Sequence, residues 1–133
     1  MKFTKYDSIE SFGADTLEIL LENEVQNNLP ISFIRNERGF DTSNWLLVTI
    51  KDEAGIAVLI AACTPPFNIV MYETGNKPND AAINLLSCEL HGMGFTFPGV
   101  MAEQGLARRF AEAHIGWNGF HRHSTGLRFI GRG

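Results

Sequence analysis

Polar and apolar positions alternate from Lys2 to Tyr6, the period of a strand with one buried face, and at Asp7 the period lengthens. Asp7 with Glu10 three residues on is a capping-box-like start. Ile9, Phe12, Leu17, Leu20, Leu21 and Val25 then keep helical spacing, which predicts a helix stopped by the Asn27-Asn28 pair before Pro30. Pro30 suits a first helical turn, and Ile31, Ile34 and Arg38 ahead of Gly39 outline a second, shorter helix. From Trp45 to Ile50 the residues are strand formers, Asp52-Glu53-Ala54-Gly55 reads as a turn, and Ile56 to Cys63 is a nearly unbroken apolar strand. Thr64-Pro65-Pro66 interrupts it, because neither proline can donate to a ladder, and strand character resumes from Asn68 to Tyr72.

A loop over 75–79 leads to a helix carried by Ala81, Ala82, Leu85, Leu86 and Leu90 with Gly92 beyond. A short strand falls within Phe95 to Met101, and Glu103 to Ala113 form an amphipathic helix with Leu106, Phe110 and Ala113 on one face and Arg108, Arg109 and Glu112 off it. The order is β-α-α-β-β-β-α-β-α, an α/β (α+β) domain with a mixed sheet flanked by helices. None of the 15 acidic residues lies beyond Glu112, whereas three of the four histidines do. Residues 1–113 therefore read as the domain and 114–133 as a Gly/His/Arg tail that fits neither period: a disordered end, a linker toward a second half, or residues read from a shifted frame.

Composition narrows the picture. A chain of 133 residues is long enough to bury a core and is expected to have one, and 44% hydrophobic against 20% charged residues is far from a disordered composition. A net charge of -4 supplies no field for phosphates, which speaks against nucleic acid and anionic membrane as partners. No apolar run nears the roughly 20 residues of a membrane span, and Met1 to Tyr6 lack the apolar core of a signal peptide, so the expected location is cytoplasmic. Cys63 and Cys88 fall in apolar segments without framework spacing, as small buried hydrophobes in a reducing compartment do.

Few residues suggest chemistry. His121 and His123 at i and i+2 share a side of any strand, but two ligands do not make a metal site, and no metal is expected. Cys88 and His91 lie one helical turn apart, which fits a nucleophile and base or, more simply, a packed thiol and a cation at a helix end. Gly92-Met93-Gly94 follows a helix, not a strand, which excludes a nucleotide loop. Asp52, Glu53 and the other turn acids read as solvated.

Two segments carry a family resemblance: Asn23-Glu24-Val25-Gln26-Asn27-Asn28-Leu29-Pro30, and Thr64-Pro65-Pro66-Phe67-Asn68-Ile69-Val70. With Phe97-Pro98-Gly99-Val100 and Phe110-Ala111-Glu112, in this order over residues 1–113, the chain resembles the amino-terminal domain of two-domain bacterial GNAT-type N-acetyltransferases. The resemblance implies acetyl transfer from acetyl-CoA to a small primary amine, with the cofactor held by a second domain. The superfamily's cofactor turn, Gln or Arg, two residues, Gly, one residue, Gly or Ala, is not matched by Tyr72 to Asp80, where a proline and nearby acids stand instead. This chain is thus expected to bind no acetyl-CoA alone and to be inactive by itself, and its sequence names no residue as the general base. Asn28, Thr64 and Asn68 are the residues expected to face an acceptor, set against a purely structural role in capping and turning. The alternatives are a non-catalytic ligand-binding or dimerisation module, with a homodimer covering an exposed apolar face, and a complete small acetyltransferase with an unorthodox turn.

Overall fold

A computed structural model of the chain describes residues 1–36, 42–75, 78–115 and 128–131. Six strands, β1 (Lys2–Lys5), β2 (Leu46–Lys51), β3 (Ala57–Cys63), β4 (Ile69–Glu73), β5 (Gly99–Ala102) and β6 (Arg128–Gly131), lie side by side in chain order. The first three pairings are antiparallel, while β4–β5 and β5–β6 are parallel. Four helices cover the sheet: α1 (Ile9–Leu21), α2 (Asn28–Asn36), α3 (Asp80–Met93) and α4 (Gln104–Ile115).

Strand periodicity sends alternate residues to two cores. Leu46, Val48 and Ile50 of β2, Leu59 and Ala61 of β3, and Ile69 and Met71 of β4 meet Leu86 and Leu90 of α3 and Phe110 of α4 on one face. On the other, Leu47, Ile60 and Ala62 meet Ile9, Phe12 and Leu20 of α1 and Ile31 of α2. Each fully buried Leu or Ile contributes roughly 1.5–3 kcal/mol from apolar burial. The two helices of the second face approach so closely that a Cβ on Gly13 would come within 2.7 Å of Ile34 Cγ2.

The element order expected from the sequence is observed, with a further strand. Residues 128–131 pair with β5, although the tail's composition fits no strand period, and the boundary drawn at 113/114 falls inside α4. Several ends differ. Ser8, not Asp7, caps α1, accepting the Ser11 N–H at 3.1 Å. That helix stops at Leu21, so Val25 lies in the following turns and is 86% exposed instead of continuing the apolar face. Asn27 accounts for the break: its buried carboxamide donates to the Leu20 carbonyl at 3.0 Å, and its own carbonyl accepts the Ile31 N–H at 3.1 Å as α2 begins. Gly94, at φ 66°, closes α3 in the left-handed region, two residues past the expected Gly92. Arg38 and Gly39, predicted to end α2, lie outside the described residues, as do His121 and His123.

Candidate functional site

A cleft of about 550 Å³ lies at the Ile69 end of β4. Leu29 and Phe33, one helical turn apart, give its α2 wall, and Thr64, Pro66, Phe67 and Asn68 come from the β3–β4 turn. Its floor is Val70 and Met101, a register pair of the parallel strands β4 and β5, with Pro98 at the approach to β5. The turn is held without the Thr64 hydroxyl or the Asn68 carboxamide. Phe67 N–H donates to the Thr64 carbonyl at 3.0 Å, the Cys63 thiol points to the Phe67 carbonyl at 3.4 Å, and the Pro65-Pro66 peptide is cis. Neither of those two side chains bonds to another described residue. Phe67 stands at the rim, 67% exposed.

Of the three residues singled out from sequence, Thr64 and Asn68 therefore line one cleft and Asn28 does not. Asn28 is the exposed first residue of α2, and its neighbour Leu29 faces the cleft in its place. Among the described residues, none of the lining carries a charge. Cys63, next to the cleft, is not a nucleophile: burial pushes its thiol up to about 12, so almost no thiolate exists near neutrality.

The other end of β4 is built from the opposite chemistry. Pairing of β4 with β5 joins Ile69 to Val100 and Val70 to Met101, while Met71, Tyr72 and Glu73 pair on the β3 side. Beyond this divergence the Glu73 carboxylate receives both arms of the Arg109 guanidinium, from Nη1 to Oε1 at 2.9 Å and from Nη2 to Oε2 at 2.7 Å. Arg109 Nε donates to Asp80 at 3.1 Å. Glu73 Oε2 also accepts the Asn79 N–H at 2.9 Å, and the Asn79 side chain accepts the Ala82 N–H at 3.1 Å, so the start of α3 is capped from within. The start of α4 is capped likewise: Glu103 accepts from Gly105 N–H at 2.9 Å and Leu106 N–H at 3.0 Å, which holds its carboxyl below the usual range. The two carboxylates hold the fork so well that Arg109 gives up its proton less readily than an ordinary arginine, Glu73 being the larger cause.

Sequence reading missed this cluster, since Glu73 and Arg109 are 36 residues apart and neither stands in a motif. It also missed His114, assigned to the tail. His114 is 4% exposed, its ring stacked on Phe110 at 5.2 Å and Nδ1 within 2.8 Å of the Ser87 hydroxyl. Burial, with a smaller contribution from His91, pushes it down to about 4. Cys88, expected to be buried, is exposed, because the buried positions of α3 are Ala82, Ile83, Leu86, Ser87 and Leu90 and Cys88 falls just past that stripe. Asp52 holds its turn through its Oδ1, which accepts from Ala54 and Ile56 N–H. Among the described residues no group of three or more metal-ligating side chains occurs, and no helix is long and apolar enough to cross a membrane. Compared with family models, with curated proteins and with solved structures, the chain matches none.

Proposed function

We propose that this chain is the acceptor-side domain of a GNAT-type N-acetyltransferase, and that acetyl-CoA is held by another domain. In outline the order β-α-α-β-β-β-α-β-α, with a parallel β4–β5 pair that diverges after two residues, is the one the superfamily uses. The carrying observation is the start of α3. There the superfamily leaves backbone N–H groups free for a pyrophosphate, whereas here Glu73 takes the Asn79 N–H and Asn79 takes that of Ala82. A pyrophosphate would have to displace a carboxylate already paired with Arg109, against the added repulsion of Asp80. The acceptor would bind in the cleft of Thr64 and Asn68, at the opposite end of β4. Acetyl transfer would then form the amide, break the thioester to release the thiol and remove the amine proton only when a second domain brings the acetyl group to the acceptor.

Isothermal titration with acetyl-CoA tests this reading. The parent chain is expected to show no saturable binding up to about 1 mM, the upper end of common Michaelis constants. Saturable binding by the parent would overturn the division of labour. The Glu73→Ala chain, in which the Asn79 N–H and the Arg109 fork are released, is expected to gain weak affinity. If it stays as inert as the parent while folded, the start of α3 is not the cofactor end of an acetyltransferase fold.

The second reading, a non-catalytic module that binds a small ligand in the same cleft, is favoured by one observation: among the described residues no acid or base lines that cleft.

A further inference from the structure

We infer that the cleft takes a neutral ligand group, an apolar or aromatic body carrying a carboxamide, and does not hold the ammonium of a cationic amine. This rests on the reading of the cleft as the acceptor side and names what part of an acceptor it recognises. Its volume of about 550 Å³ lies within the range of small-molecule sites, and Leu29, Phe33, Val70 and Met101 give it apolar walls and floor. An ammonium seated there would lose hydration and gain no carboxylate from the described lining, which among the described residues holds no acidic side chain. Glu73 and Asp80, at the other end of β4, are already paired with Arg109.

Two polar groups fix what kind of neutral ligand fits. Thr64 offers a hydroxyl and Asn68 a carboxamide, each both donor and acceptor, and neither is used by another described residue. A ligand amide, with one N–H and one carbonyl, pairs with such a set, whereas a pure cation has only donors and a pure hydrocarbon leaves both groups idle. An acceptor that presents an amide-bearing apolar body to this cleft keeps its reacting amine outside it, toward the domain that brings the acetyl group.

The test is an NMR titration of the full chain, without acetyl-CoA, with N-acetylphenethylamine as the neutral probe and spermidine as the cationic one. N-acetylphenethylamine is expected to shift the Asn68 side-chain amide and the Thr64 and Phe67 backbone amides to saturation, and spermidine to leave them in place. Asn68→Ala and Thr64→Val, separately, are expected to weaken the neutral probe about 5-fold, the equivalent of one hydrogen bond. Spermidine binding here more tightly than the neutral probe would overturn the inference. So would unmoved Thr64, Phe67 and Asn68 signals, or parental affinity in both variants. Because the titration contains no acetyl-CoA, its failure leaves the cofactor result standing, and a failure of the cofactor experiment leaves a neutral-ligand cleft standing.

Discussion

The two ends of β4 differ in almost every respect that decides binding. At Ile69 and Val70 the strand opens onto a cleft whose described lining carries no charge and whose Thr64 and Asn68 side chains have no partner among the described residues. Four residues on, Glu73 is bonded to Arg109 and Asn79 at once, and Arg109 reaches Asp80 as well. The contrast separates polar groups that hold the fold from polar groups left over by it. At the Glu73 end, hydrogen bonding is complete inside the protein, so a ligand must compete for it; at the Thr64 end a ligand has only water to displace.

If that separation is real, perturbations of charge should act through the α3–α4 layer and leave the cleft alone. Acid is the strongest of them. Folded His114 takes up a proton at about 4, and in the unfolded chain it does so near the ordinary 6.5. Between those values the unfolded state binds more protons, so stability falls as pH is lowered; the contribution is fully present above about 6.5 and is lost on the way down to about 4. The shift corresponds to about 3 kcal/mol. Urea denaturation at neutral pH and at successively lower pH is expected to show this loss, and His114→Phe, which cannot titrate, to remove most of the slope. A slope that survives His114→Phe would assign the acid sensitivity to the carboxylates held below their usual range, Asp15 and Glu103.

Arg109→Ala is the next largest. It leaves the Glu73 carboxylate, whose side chain is only 16% exposed, with the Asn79 N–H alone. Because the fork is partly open to water, the expected cost is about 1–2 kcal/mol, below that of a fully buried pair. Chemical denaturation measures it, and Arg109→Lys should recover less than half, since an ammonium cannot repeat the two-armed contact. In the same variant the Thr64, Phe67 and Asn68 amide signals should stay in place. Movement of those signals would mean that the two ends of β4 are coupled.

How far the sequence allows this contrast to be read depends on what sets each residue's direction. Element types follow from period, which is local: the alternation of Lys2 to Tyr6 and the apolar run before Cys63 need no knowledge of the rest of the chain. The turn that carries Thr64 and Asn68 was legible for the same reason, because prolines deny the ladder its donors and fix a turn between two strands. The direction of Asn28 was not. At the start of a helix one residue is a turn of about 100°, and that step places Leu29 and Phe33 on the cleft and Asn28 in solvent. Cys88 was misplaced by the same one-step error on α3. The ion pair of Glu73 with Arg109 and the contact of Ser87 with His114 join residues 36 and 27 positions apart, and no local pattern announces such a meeting.

The smallest expected effect is the most discriminating. If Thr64 and Asn68 served to satisfy backbone around Pro65-Pro66, replacing them would leave buried backbone groups without partners and cost about 1–3 kcal/mol. In the structure the turn closes through the Phe67 N–H and the Thr64 carbonyl, which no side-chain substitution removes. Thr64→Val and Asn68→Ala are therefore each expected to change stability by less than about 0.5 kcal/mol, as substitutions away from packed or bonded features do. Thermal and urea denaturation at neutral pH give the comparison. A cost above about 1 kcal/mol would make these two side chains part of the scaffold, like Glu73 and Asn79, and would erase the difference between the two ends of β4. A negligible cost together with weakened binding of the neutral probe would show that the fold does not need these side chains and a ligand does.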